Sequence, residues 1–306
     1  MRLVHDRVML MAHTRLPRRL AVSVLVCFLA LASQINAGVE IRQARPGTNV
    51  GTKPQATQPA TRPPARATTV PTAAPRVERP VPFSAGETLS YDVSWSMAFV
   101  TAGTATLRVV DKHASYGSQA YYILGEGRPT AMLAKLYSLY YKADSLLDVY
   151  SLTSQRGSVY SDENGRKRMK ALRFNADGRT ALFEMQTSTN MKKDIAVPPQ
   201  SQDALSALFA LRAMTLSPGM TIKMPVCISD TVYSMSALVV VREDVKTGMG
   251  TQHALKIRPI VTDATGKPAG RGLVLWLSDD ARKTPLRLQA DLAVGSFNLV
   301  LREAKY

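Results

Sequence analysis

Ser90-Tyr91-Asp92-Val93-Ser94-Trp95-Ser96-Met97 sets its large apolar side chains on one parity and its small polar ones on the other. That alternation marks a strand that buries one face and wets the other, as strands of antiparallel sheets do. It recurs along the chain. Leu286, Leu288, Ala290 and Leu292 alternate with Arg287, Gln289 and Asp291, and Ala181, Phe183 and Met185 oppose Glu184 and Gln186. Leu273-Val274-Leu275-Trp276-Leu277 is apolar throughout and predicts a central strand covered on both faces. Turn signals separate these segments at hairpin spacing. Glu163-Asn164-Gly165-Arg166 and Asn175-Ala176-Asp177-Gly178 both supply residues that take positive φ at little cost.

Two segments break the rhythm. Ser201 to Met214 predicts a helix: Pro198 and Pro199 stop any strand before it, Ser201 is placed to cap it, and Asp203 suits the positive end of its dipole. Leu205, Leu208, Phe209 and Arg212 follow helical spacing, and Ser217-Pro218-Gly219 ends the segment. Its apolar face is expected on the sheet. Thr130 to Tyr140 predicts a short helix running into a strand. No repeat of solenoid length occurs. The fold class that follows is mainly β: a curved antiparallel sheet or half-barrel with one packed amphipathic helix, or alternatively a two-sheet β-sandwich.

Upstream of residue 83 nothing alternates. Arg15, Arg18 and Arg19 precede an apolar run, Leu20 to Ala32. The run has the length of a signal-peptide core and falls short of the roughly 20 residues a membrane span needs. The expected cut follows Ala37, with Ala32 as the second site; an uncleaved anchor is the alternative, and Met11 is a candidate start. Arg18 and Arg19 read as a positive n-region, with twin-arginine export as the competing reading. Cys27 follows bulky Val26, so no lipid anchor is expected. Residues 38–82 are rich in Pro, Thr, Ala and Arg and poor in large apolar side chains, so burial cannot offset the entropy of ordering them. The expected organisation is a signal peptide at 1–37, a disordered spacer at 38–82 and one β-rich domain at 83–306, periplasmic or secreted.

The chain carries 39 Lys and Arg against 23 Asp and Glu, a formal net charge of +16. Twelve of those cations and three of the acids precede residue 83, so the domain itself is only moderately basic. It lacks the dense stripe of a nucleic-acid binder, and no nucleic-acid partner is expected. An anionic envelope surface stays a candidate partner, and no transmembrane span is expected once the leader is removed. Cys227 is the one cysteine beyond the leader, so no intramolecular disulfide can form in the mature chain. Its place in the apolar run Ile222 to Ile228 predicts a buried, inert thiol.

Several stretches resemble a family of exported bacterial proteins, the domain of unknown function 3108. They are Gly86 to Trp95, Gly103 to Leu107, the helix segment Asp203 to Arg212, and Trp276 to Asp280, with Glu243 ahead of a Thr247-Gly248-Met249-Gly250 turn and Thr284-Pro285-Leu286 after Asp280. The likeness covers nearly all of 83–302. It implies export and a β-rich fold. It carries over no catalytic residues, because the family has no established reaction.

Candidate chemistry is sparse. There is no nucleophile elbow, phosphate loop, His-Glu-x-x-His or Cys-x-x-Cys. No catalytic residues, metal ligands or cofactors are assigned. Asp279 and Asp280, adjacent on a strand, would point to opposite faces and read as a strand end with a turn. Asp203 and Arg212 lie nine residues apart and cannot pair along the helix. Arg212 falls on the apolar stripe, so its head is expected to reach a carboxylate or carbonyl on the sheet, or else a ligand. Candidate ligand-binding residues are Arg212, Tyr137, Tyr140 and Trp276. The basic run Arg166, Lys167, Arg168 and Lys170 is either an anionic contact or a solvated strand that deters edge pairing. The reading is a non-enzymatic binding or scaffold module for an apolar small molecule, lipid or peptide. The alternative is a carboxylate-dependent hydrolase or glycan-acting enzyme drawing on Asp203, Glu243, Asp279 and Asp280.

Overall fold

The computed structural model describes residues 76–95, 100–136, 138–269, 271–292 and 295–306. The leader, most of the spacer and Tyr137 lie outside the described residues. Of the stretch read as spacer, 76–82 lies against the domain. The Arg79 N–H donates to the Val149 carbonyl at 3.0 Å, and Lys112 Nζ donates to both oxygens of Glu78 at 2.9 Å.

Among the described residues there are fourteen strands. They are β1 (Thr88–Trp95), β2 (Val100–Ser115), β3 (Ser118–Pro129), β4 (Leu139–Asp148), β5 (Ser154–Glu163), β6 (Arg166–Phe174) and β7 (Thr180–Gln186). There follow β8 (Asn190–Ala196), β9 (Thr221–Ile228), β10 (Thr231–Thr247), β11 (Gly250–Thr262), β12 (Arg271–Ser278), β13 (Pro285–Leu292) and β14 (Gly295–Lys305). They make one sheet in the order β8-β7-β6-β5-β4-β3-β2-β1-β14-β13-β12-β11-β10-β9. The chain enters at the middle, walks outward to the edge at β8, crosses to the far edge at β9, and returns until β14 lies antiparallel beside β1. The fold is thus one open, curved antiparallel sheet with a packed helix, and among the described residues no second sheet makes a sandwich. As its apolar run predicts, β12 is internal, and Leu275, Trp276 and Leu277 are all buried.

Local chemistry sets the hairpins. Between β5 and β6, Asn164 and Gly165 take φ of 49° and 81°. Two successive positive φ values make a turn whose twist matches that of the flanking strands. Asp162 Oδ1 accepts the Gly165 N–H at 3.0 Å and fixes that turn. The long β10–β11 hairpin arches back to β14, where the Gly248 N–H donates to the Leu301 carbonyl at 2.8 Å. A side chain at Gly248 would put Cβ 2.6 Å from the Arg302 carbonyl oxygen, so this approach needs glycine.

Two helices accompany the sheet among the described residues: α1 (Ala131–Leu136), which runs into β4 as expected, and α2 (Ala204–Arg212). α2 touches β3, β4 and β5 and also β9, although β5 and β9 stand ten places apart in the sheet. Only a sheet rolled around the helix brings both to it. Every residue from Leu205 to Arg212 is accordingly buried. This goes beyond the single apolar face expected on the sheet: Ala207, Ala210 and Ser206 are small enough for the helix to be enclosed on all sides. Each enclosed Leu or Phe contributes about 1.5–3 kcal/mol by leaving water.

The start of α2 corrects the expected cap. Asp203, not Ser201, takes the N-cap position, its Oδ1 accepting from the N–H groups of Leu205 at 2.8 Å and Ser206 at 3.1 Å. Ser201 Oγ instead donates to the Pro198 carbonyl at 2.7 Å. The cap sits tight against β5. A Cβ at Gly157 would stand 2.6 Å from the Asp203 Cβ.

The edges β8 and β9 do not pair, so the roll stays open. Side chains bridge the seam. Leu172, Phe183 and Ile195 pack with Cys227 in a second apolar cluster, and Lys193 Nζ reaches Asp230 Oδ2 at 3.0 Å. The chain ahead of α2 covers part of the β9 edge: the Gln202 N–H donates to the Pro225 carbonyl at 3.0 Å, and the Cys227 N–H to the Gln202 carbonyl at 2.7 Å.

Candidate functional site

The inner face of β4 to β7 does not fill completely against α2. Ala143, Gly157, Leu172 and Phe183 line a hollow of about 60 Å³, closed by Leu205 of α2 and Cys227 of β9. That is room for a few waters or a short stretch of hydrocarbon. A second hollow of about 50 Å³ lies between Tyr91, Leu107, Gly125, Tyr141 and Leu299. Ala143 and Leu205 border both, so the two hollows are neighbours at the Leu205 side chain. The space exists because Ala105, Gly125, Gly127 and Ala143 are small where neighbouring strands carry large residues.

Register decides which charges reach the first hollow. Lys170 and Leu172 are two residues apart on β6 and both line it, so Arg168 and Arg166 follow on the same face. Lys167 lies on the opposite face, in register with Asp162. Lys170 Nζ donates to Ser229 Oγ at 3.3 Å. Burial lowers its pKa, Arg168 adds to that, and Asp230 opposes it. Buried Glu163 on β5 is pushed the other way: burial raises its pKa, against the pull of Arg168 and Arg166.

Of the ligand-binding residues expected from the sequence, the three described ones, Arg212, Tyr140 and Trp276, do not converge. Arg212, with no exposure, grips Glu87 through Nη1–Oε1 at 2.7 Å and Nη2–Oε2 at 2.9 Å. Its Nε also donates to the Lys283 carbonyl at 3.1 Å and Nη2 to that of Arg282 at 3.2 Å. Phe83 and Phe209 stack rings against the guanidinium. Tyr140 points away from buried Tyr141; its hydroxyl donates to Glu126 Oε1 at 2.6 Å, and Arg128 sits over its ring. Trp276 faces away from Leu275 and Leu277. Its indole N–H donates to Glu243 Oε1 at 2.7 Å, between the cations Lys256 and Arg287.

The four acids weighed for hydrolysis each have separate partners. Asp203 Oδ2 accepts from Ser145 Oγ and Ser154 Oγ, both at 2.6 Å, so this carboxylate caps α2 and ties it to β4 and β5. Its full burial raises its pKa, against the hydrogen bonds that favour the anion. Glu243 holds Trp276, and Asp279 Oδ2 pairs with Arg242 at 2.7 Å. Asp280 Oδ1 accepts the N–H groups of Arg282 at 2.9 Å and Lys283 at 3.1 Å, the turn role expected of it. Among the described residues, no group of three His, Cys, Asp or Glu side chains gathers where a metal ion could be held. No described helix is long and apolar enough to cross a membrane.

Sequence reasoning missed Glu87, Ser145, Ser154 and Gly157. Nothing local marks the two serines, because their partner lies 58 and 49 residues away.

A family model described as "Protein of unknown function (DUF3108)" matches residues 90–302. A search of curated proteins returns no match. Among solved structures, a β-barrel-like protein of domain of unknown function DUF1849 from Brucella abortus is similar at 9 % identity and TM-score 0.47, covering 72 % of this chain and 96 % of that one. A protein from Bacteroides fragilis, provisionally titled exported and of YmcC-like fold, is similar at 12 % identity and TM-score 0.30, covering 76 % and 100 %. A provisionally titled lipoprotein from Parabacteroides distasonis stands at 9 % identity and TM-score 0.31, covering 75 % and 100 %.

Proposed function

We propose that this chain, which belongs to the DUF3108 family of proteins of unknown function, is an exported cell-envelope protein that binds an apolar group without transforming it. The observation that carries this reading is the pair of mostly apolar hollows that meet at Leu205. Their size suits the end of an acyl chain or one apolar peptide side chain. Deeper entry requires Leu205 to change rotamer. The leader pattern supports export, and the Pro-rich composition of the stretch ahead of Arg76 suits a tether that lets the domain search away from its point of attachment.

Two measurements test it. N-terminal sequencing of the protein from the cell envelope is expected to start at Gly38. Native mass spectrometry after gentle purification, with displacement of a fluorescent apolar probe, is expected to show one bound apolar species per chain. Leu205→Trp, which fills the space where the hollows meet, is expected to abolish probe uptake while circular dichroism stays unchanged. An adduct-free protein that takes up no probe overturns the proposal, as does a Leu205→Trp variant that binds like the parent.

A further inference from the structure

We propose that the free edge of β8 is a self-pairing surface, on which a second copy of this chain docks as an antiparallel strand about a two-fold axis at Lys193.

The two edges of the sheet are unlike. β9 carries Pro225, and the chain ahead of α2 hydrogen-bonds to it at Pro225 and Cys227. β8 contains no proline, pairs with β7 without a register shift, and has no strand on its other side among the described residues. All of its residues except Ile195 are exposed. Such an edge is a template for another strand unless something guards it.

Register shows which backbone groups this edge offers. Val197 and Arg179 continue the β7–β8 pairing, and the Val197 N–H donates to the Arg179 carbonyl at 2.8 Å. Hydrogen bonding alternates along an antiparallel pair, so Met191, Lys193 and Ile195 bond to β7, whereas Asn190, Lys192, Asp194 and Ala196 aim their N–H and C=O groups away from it. Two copies joined edge to edge must set residues of the same face opposite each other, so their two-fold axis passes at a residue. Centred on Lys193, the whole of β8 pairs. Lys192 then stands opposite the partner's Asp194, Met191 opposite the partner's Ile195, and Asn190 opposite the partner's Ala196. Centred on any other residue the pairing is shorter, and at Lys192 or Asp194 it sets like charges opposite each other on the outward row.

Side-chain chemistry favours the same register. Lysines on an edge ordinarily guard it, but both lysines of β8 are engaged. Lys192 Nζ reaches Glu184 Oε1 at 2.5 Å, and Lys193 Nζ reaches Asp230 Oδ2 at 3.0 Å. Lys193 can therefore meet its own copy with its charge already held. The charge left over is Asp194, which has no side-chain partner among the described residues. The two-fold register supplies it with the partner's Lys192, whose three N–H donors can serve Glu184 as well. Met191, 39 % exposed, is covered by the partner's Ile195. Because the chain ahead of α2 occupies the β9 edge, assembly closes at two copies.

The test is sedimentation equilibrium of the mature chain. Its mass is expected to double as concentration rises through the micromolar range and to grow no further. Asp194→Pro removes an outward N–H, leaves the bonds to β7 in place, and is expected to stay monomeric with unchanged circular dichroism. Cysteine substitution reads the register separately. Lys193 and its copy form a non-hydrogen-bonded pair, with Cα atoms about 4.5 Å apart, which is within disulfide reach. Lys193→Cys is expected to give a covalent dimer on mild oxidation; Met191→Cys and the parent, with its buried Cys227, are not. A parent that stays monomeric throughout overturns the proposal. So does association that persists in a folded Asp194→Pro variant, growth beyond a dimer, or cross-linking of Met191→Cys as fast as that of Lys193→Cys.

Discussion

Arg212, the last residue of α2, and Glu87, just ahead of β1, form a two-point ion pair in the interior, with exposures of 0 % and 2 %. They are 125 residues apart in sequence. The pair fastens the end of the enclosed helix to the strand at the middle of the sheet. Removing one member strands a buried charge, which costs about 3–5 kcal/mol, whereas removing both together costs far less than the sum. Urea melts of Arg212→Met, Glu87→Gln and the double variant are expected to show that coupling. Single variants within about 0.5 kcal/mol of the parent would mean the pair does not anchor the helix.

Asp203 anchors the other end of α2. Asp203→Ala is expected to cost about 1 kcal/mol for the cap and about 1–3 kcal/mol more for the unpartnered hydroxyls of Ser145 and Ser154. Asp203→Asn keeps an acceptor and is expected to fold nearly as well. The two differ in pH dependence. Burial raises the Asp203 pKa, so above the unfolded value the native state holds more protons than the unfolded one. Stability from this group therefore falls as pH rises through that window, and the slope is absent in Asp203→Asn. Identical pH profiles for parent and Asn variant would contradict this assignment.

Gly157 and Gly248 are required by close approach, since neither has a φ in the left-handed region. Gly157→Ala drives Cβ into Asp203 and is expected to cost about 1–3 kcal/mol. Gly248→Ala is expected to release the β10–β11 hairpin from β14, read as faster hydrogen exchange at Gly248 with little change in the melting midpoint. Unchanged exchange there would show that the hairpin holds to β14 by other contacts.

The seam between β8 and β9 is held by burial more than by charge. Phe183 is 2 % exposed in the second cluster, and Phe183→Ala is expected to cost about 3–5 kcal/mol. Lys193, half exposed in its pair with Asp230, is expected to matter by about 0–1 kcal/mol when replaced by Ala. The reverse ranking in thermal melts would mean an electrostatic seam.

Cys227 is 2 % exposed, and burial pushes its thiol pKa up to about 11. At pH 8 it is therefore almost wholly protonated as well as covered, and a thiol reagent is expected to label it only at the rate of global opening. Fast labelling of the native protein would place the thiol at an open seam.

Much of this architecture follows from local pattern. Period-two alternation fixed the buried face of β1, β7 and β13, Asn164-Gly165 fixed a hairpin, and the spacing of Leu205, Leu208, Phe209 and Arg212 fixed a helix. The same alternation placed Arg168 and Lys170 on one face, because a strand turns its side chains over at every residue. The misassigned cap shows where local reasoning stops. Ser201 and Asp203 are both good capping residues, and the choice went to the carboxylate that Ser145 and Ser154 could also reach.

By itself the chain's order of residues determined that there would be strands, one strong helix and a buried face on each. Only the tertiary structure decided that β14 closes on β1, that the sheet rolls until β5 and β9 both meet α2, and that two hollows meet at Leu205. Alternation records that a face is hidden from water and carries no record of what hides it. That identity comes from contacts such as the Tyr91 hydroxyl donating to the Pro285 carbonyl, 194 residues away, which form only when the whole sheet has assembled.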